Sequence, residues 1–263
     1  MAAPESDTRA GATRLTYVGH GTVLSEIGGA RVLTDPLLRR YMGPLLRRGP
    51  LPGPDVTGDL DAILISHLHI DHLDVRSMRL LDRRVPVVIP AHGVKLMRRL
   101  GFADVRSLQP REVLEVAGVR VEATVANHGG KRYPVTRAGH ALGYLIGDDP
   151  RIYYAGDTGL FPGMSDLAGR VDVALLPISG WGVTLPDDHL NPLTAAKALE
   201  ALRPRIAVPI HYGVYYPPGM LALWRGRDIV PPRAFVRYAA KLAPEVEVRV
   251  VAPGESTSIE PTD

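Results

Sequence analysis

The 263-residue chain contains no cysteine. That excludes a disulfide framework, a thiolate zinc knuckle, an iron–sulfur cluster and a cysteine nucleophile. Lysine is scarce too: only Lys95, Lys131, Lys197 and Lys241 occur, so the 31 basic residues facing 28 acidic ones are mostly arginine. A formal charge of +3 steers only weakly toward polyanions, and no nucleic-acid partner is expected. No apolar run has the length of a bilayer span, so stable membrane insertion is not expected. Met1 to Thr13 lacks the apolar stretch of a secretory signal, and a cytoplasmic location follows. The sequence shows no internal repeat and no dividing linker. Residues 1–13 read as a disordered N-terminus, 14–255 as a single domain and 256–263 as a C-terminal tail.

Short apolar runs punctuated by Gly and Pro predict strands at Leu15–Val18, Val23–Ile27 and Arg31–Thr34, with a turn at Gly28-Gly29. Ala62–Ile65 and Val87–Ile89 are apolar at every position, as in strands buried on both faces, whereas Val119–Ala126 alternates. Further strands are expected at Ala141–Ile146, Ile152–Tyr154, Val173–Leu176, Ile206–Pro209 and Val246–Val251. Helical faces follow Val94-Met97-Leu100, which ends at Gly101, and the Asn191-Pro192 start signal; Pro232 is expected to open another helix. The order of elements means α/β or α+β. Pro36–Gly58 reads as a lid or rim loop.

What the chain has in quantity is histidine, nine in all. Four ligand-type side chains follow the Ala62–Ile65 run within six residues: His67, His69, Asp71 and His72. His67 and His69 alternate at extended spacing, so both rings can point one way, while Asp71 and His72 project toward a neighbouring position. Imidazole and carboxylate donors without thiolate suit zinc, and also manganese or iron. His128, Asp157 and His211 each come just past a β-like run, where strand ends would gather them.

His67-x-His69-x-Asp71-His72, then His128, Asp157 and His211 in order, resembles the ligand set of the metallo-β-lactamase-fold hydrolases over about residues 15–255. The resemblance implies a four-layer αβ/βα sandwich and two divalent metal ions, Zn2+ first and Mn2+ or Fe2+ as alternatives. It implies His67, His69 and His128 on one ion, Asp71, His72 and His211 on the other, and Asp157 between them. The implied activity is hydrolysis by a metal-bridging hydroxide, with Asp71 and His189 as the residues taking part in the chemistry. A redox role is disfavoured, because the flavodiiron branch usually carries Glu where His69 stands.

Val18-Gly-His20-Gly-Thr-Val-Leu, Leu33-Thr-Asp35-Pro36, His189-Leu-Asn-Pro and Ile210-His-Tyr-Gly213 resemble one branch further. That branch holds the ascorbate-phosphate lactonases and the N-acyl-phosphatidylethanolamine phospholipases D. The chain departs from it at His128-Gly-Gly-Lys131-Arg132 and at Tyr212. An anionic small-molecule substrate is therefore expected, a phosphodiester or a phosphorylated small molecule. A lactone or carboxylic ester is the enzymatic alternative, and a non-catalytic metal-binding module is the alternative of another class. His20, Lys131 and Arg132 are the expected substrate contacts. His92 and His140 are read as structural or surface residues, and a homo-oligomer is compatible with the sequence.

Overall fold

In the computed structural model, which describes residues 12–129, 139–180, 185–219 and 230–261, the apolar runs pair into two seven-stranded sheets and a small three-stranded one. Across the first large sheet the order is Ser256–Ile259, Thr13–Gly19, Thr22–Ile27, Ala30–Thr34, Ala62–Leu64, Val87–Pro90 and Val105–Leu108. Across the second it is Glu247–Val248, Ile206–Ile210, Val173–Pro177, Ile152–Tyr154, His140–Ile146, Val119–Gly129 and Val113–Val116. Each sheet joins an antiparallel half to a parallel half.

Side-chain alternation along the strands explains the layering. In the first sheet Val32, Ala62, Leu64 and Val88 face the core shared with the second sheet. Their neighbours Leu33, Ile63, Ile65, Val87 and Ile89 pack instead with Leu73, Met78, Met97 and Phe102, residues in or beside the helical segments on the outer face. The second sheet is covered by the Pro192–Leu202 and Val230–Leu242 helices, through Ala195, Leu199, Leu202, Phe235 and Ala239. The result is the expected four-layer αβ/βα sandwich. Strands buried on both faces therefore carry apolar residues at every position, as Ala62–Leu64 and Ile152–Tyr154 do.

Several boundaries differ from the sequence reading. Ser256–Ile259 is an edge strand rather than a frayed tail, pairing with Thr13–Thr16, and Thr13 opposite Ile259 already belongs to the sheet. Residues 1–11 lie outside the described residues. The Val119–Gly129 strand runs three residues further than expected, through an irregularity between Val125 and Gly129, so His128 sits inside it. Of the expected Val246–Val251 strand only Glu247–Val248 is formed, paired with Ile206 and Ala207. The last helix runs Val230–Leu242, so Pro232 lies within it rather than opening it.

The Pro36–Gly58 stretch is built into the fold. Tyr41–Met42 and Leu45–Arg47 form a hairpin, and Leu45–Arg47 also pairs with Tyr215–Tyr216. Buried Arg47 donates to the carbonyls of Val18, Leu37 and Pro50. Arg39 grips Asp74 through Nε and Nη2, at 2.7 and 3.0 Å. Among the described residues no helix is long and apolar enough to cross a membrane.

Candidate metal centre

The ligand-type residues gather where the parallel strands end. Ala62–Leu64 leads to His67, Ile152–Tyr154 to Asp157 and Ile206–Ile210 to His211. The chain turns sharply there, which places side chains in the crevice beyond the carboxyl ends of the strands. His20, Asp35 and His211 adopt positive φ angles of 58°, 36° and 64°. Such backbone is unfavourable for residues with a Cβ and persists only where the surroundings enforce it. His211 N donates to the His20 carbonyl at 2.9 Å, locking two of these turns together. Gly21 is required by proximity: a Cβ there would lie 2.9 Å from His72 Nδ1 and 3.0 Å from the Tyr154 hydroxyl.

Two clusters result. In the first, His69 Nδ1 lies 2.9 Å from His67 Nε2 and 3.1 Å from His128 Nε2. In the second, His72 Nε2 lies 3.1 Å from His211 Nε2, and His20 and Asp71 complete a buried group of four. Asp157 stands between them. Its Oδ2 is 3.2 Å from His72 Nε2 and 4.0 Å from His67 Nε2, and its Oδ1 is 3.3 Å from His211 Nε2.

The opposite ring nitrogens show which way the lone pairs point. His72 Nδ1 meets Asp35 Oδ2 at 2.7 Å, His211 Nδ1 meets the Ser179 carbonyl at 2.8 Å, and His128 Nδ1 meets the Asp188 carbonyl at 3.1 Å. Carbonyl and carboxylate oxygens only accept, so these rings carry the proton on Nδ1 and turn the Nε2 lone pair inward. The Nε2 atoms of His72 and His211 thus converge at 3.1 Å beside Asp157. Buried Asp157 Oδ1 accepts no hydrogen bond, although His211 Nε2 is close by. A cation satisfies this arrangement of inward nitrogen and carboxylate donors, so the donor set fits divalent metal.

Electrostatics agree with that fit. Burial pushes the His67, His69 and His128 rings below the ordinary imidazole range, and His211 down to about 3. Asp71 and Asp157 are held well below the carboxylate range: burial opposes this, but His72 and His20 outweigh it at Asp71, and His211 and His72 at Asp157. Neutral imidazoles and ionised carboxylates are the protonation states that metal binding needs. His72 is the exception: against burial, Asp157 and Asp71 raise it well above the ordinary range, so a metal there must displace a proton.

The other candidates divide. His20 is buried; its Nε2 lies 2.9 Å from Asp71 Oδ2 and its ring centroid 3.7 Å from that of His211. It is engaged by the second cluster, through Asp71 and His211. His189 is half-buried, with Nε2 3.5 Å from Asp157 Oδ2 and Nδ1 3.0 Å from Asp188 Oδ1. Its hydrogen bond to Asp157 raises it above the ordinary range against burial, with Asp188 adding to the effect. Lys131 and Arg132 lie outside the described residues. His140 is exposed and His92 half-buried.

Two residues given no role from sequence belong to the site. Fully buried Asp35 accepts from Ser66 N, Ser66 Oγ, His72 Nδ1 and the Tyr154 hydroxyl. Asp188 contacts both His128 and His189. Their position directly after a strand and directly before a histidine is the signal that could have found them.

Known proteins similar to this chain share one superfamily. A family model of the beta-lactamase superfamily domain matches residues 30–212. A UPF0173 metal-dependent hydrolase from Methanopyrus kandleri is 31% identical over 251 residues, covering 92% of this chain and 98% of that protein. Another, from Rubrobacter xylanophilus, is 31% identical over 258 residues, covering 93% and 96%. Among solved structures, a metallo hydrolase from the archaeon Ignicoccus hospitalis matches with a TM-score of 0.73 at 25% identity, covering 95% of this chain and 99% of that one. The chain belongs to the metallo-β-lactamase superfamily, with UPF0173 metal-dependent hydrolases as its relatives.

Proposed function

We propose that this metal-dependent hydrolase is dinuclear and acts on a small anionic substrate, a phosphodiester or a phosphorylated small molecule. The observation that carries the reading is Asp157, whose carboxylate lies 4.0 Å from His67 of the first cluster and 3.2 and 3.3 Å from His72 and His211 of the second. His67, His69 and His128 would hold one ion, and Asp71, His72 and His211 the other. Divalent cations bound there supply charge that polarises the substrate and make a water acidic enough to attack at neutral pH. Nitrogen and carboxylate donors without thiolate favour Zn2+, with Mn2+ and Fe2+ as the other candidates. A cytoplasmic setting belongs to the same proposal.

The chain's own groups take the remaining tasks. Asp157 places one negative charge between two positive positions, which offsets their repulsion. His189 keeps part of its side chain in solvent beside Asp157. Its raised pKa suits it to give a proton to the departing oxygen. Lys131 and Arg132 follow His128 closely in the chain and are the proposed contacts for the anionic group.

Zinc-loaded protein offered a chromogenic phosphodiester beside a panel of lactones and carboxylic esters tests this reading. Chelator-sensitive turnover of the phosphodiester is expected. Turnover of lactones or esters alone overturns the phosphate reading in favour of ester hydrolysis, and inertness toward both panels points to a non-catalytic binding module.

A further inference from the structure

Asp188 has one carboxylate and two imidazoles to serve. Its Oδ1 lies 3.0 Å from His189 Nδ1, and its Oδ2 lies 3.2 Å from His128 Nδ1. Its own backbone carbonyl is a second acceptor for His128 Nδ1, at 3.1 Å. The two rings stand edge to face with centroids 4.4 Å apart. Beyond them His128 Nε2 meets the first cluster at His69, and His189 Nε2 faces Asp157.

The segment bearing Asp188 is held in place. Leu190 N donates to the Thr158 carbonyl at 2.8 Å, and His189 N donates to the Pro186 carbonyl at 3.0 Å. Asn191 then caps the Pro192–Leu202 helix in a reciprocal capping box. The Asp157 turn and the Asp188 loop are therefore tied to each other through Thr158 and Leu190.

We infer that Asp188 is a positioning residue shared by His128 and His189, fixing the tautomer and direction of both rings at once. The inference rests on the proposed metal reading of His128. An ionised carboxylate offers acceptors to both Nδ1–H groups, so both rings direct Nε2 toward the centre. An asparagine of the same shape has one accepting oxygen and one donating amide. It can serve only one ring as the aspartate does: either His128 keeps the backbone carbonyl as its acceptor but faces an amide donor, or His189 loses its acceptor.

The test compares wild-type protein with Asp188→Asn and with Asp187→Asn, which makes the same charge change at an exposed neighbour. Histidine 15N NMR reports the protonated nitrogen of each ring, in metal-free and zinc-loaded protein. Chelator competition reports zinc affinity. The expected result is Nδ1 protonation of both rings in wild-type and Asp187→Asn protein. In Asp188→Asn, one of the two rings changes signature, His67, His72 and His211 keep theirs, and zinc binds about tenfold more weakly or worse. Unchanged signatures for both rings with zinc affinity within about twofold of wild type would overturn the inference. Wild-type protein that takes up no zinc would overturn the metal reading instead, while the metal-free spectra still judge Asp188 alone.

Discussion

His72 Nδ1 lies 2.7 Å from Asp35 Oδ2, and this contact decides which nitrogen of His72 is offered to the second cluster. The same carboxylate is held by Ser66 and by the Tyr154 hydroxyl, so the strand ends that converge on the site share one anchor. Replacing Asp35 by asparagine puts an amide donor among groups that are themselves donors. Asp35→Asn is expected to weaken metal binding at the second cluster about 10–100-fold. It should also cost about 3–5 kcal/mol of stability, as other broken buried pairs do. Zinc titration and urea unfolding read the two effects separately.

His72 also sets a proton count. Burial opposes its charged form, but Asp157, Asp71 and Asp35 together raise it well above the ordinary value of 6.5. A raised folded-state pKa stabilises the metal-free fold at low pH. That contribution is fully present below about 6.5 and lost as pH rises through the folded value. A metal on Nε2 must displace this proton. Uptake at neutral pH is expected to release about one proton per chain and to weaken as pH falls. Titration calorimetry in two buffers of different ionisation enthalpy measures the number, and heats that do not depend on the buffer would contradict it.

His189→Ala separates chemistry from metal binding. Metal content is expected to stay at the wild-type level while kcat falls about 10²–10⁴-fold, the range for a lost general acid. Because Asp157 raises the His189 pKa, the wild-type rate should decline as pH rises through that raised value. The variant should lack this limb of the pH–rate profile. An unchanged profile would remove His189 from the reaction.

The approach of the Asp157 turn to the Asp188 loop depends on Gly159. A Cβ at that position would lie 2.0 Å from the Asp187 carbonyl oxygen, a backbone atom with no room to retreat. Gly159→Ala is expected to cost about 1–3 kcal/mol, as overpacking does elsewhere, and to lower activity by displacing His189. Gly163→Ala, whose nearest neighbour would be 3.5 Å away, is the control expected to fold like wild type.

The residues that face the centre were legible in the sequence because each stands at or just past an apolar strand, and strand ends gather in this architecture. Their partners were not. Asp35 is given its task by Ser66, His72 and Tyr154, and Asp188 by His128, neighbours that only the folded chain brings together. Ser256–Ile259 has the polar look of a tail and becomes a strand because Thr13–Thr16 leaves an open edge. Pro36–Gly58 reads as a lid or rim loop, yet the Tyr41–Arg47 hairpin within it folds Arg47 among backbone carbonyls. His20 sits at a turn that suggested the rim, while the positive φ that closes the turn aims its ring at Asp71.

The most direct test of the account is the metal stoichiometry of the wild-type protein, stripped with chelator, titrated with Zn2+ and counted by elemental analysis. Two equivalents per chain are expected, with Asp157→Asn weakening both because its carboxylate faces both clusters. A chain that saturates with a single ion, or takes up none, would contradict the dinuclear centre.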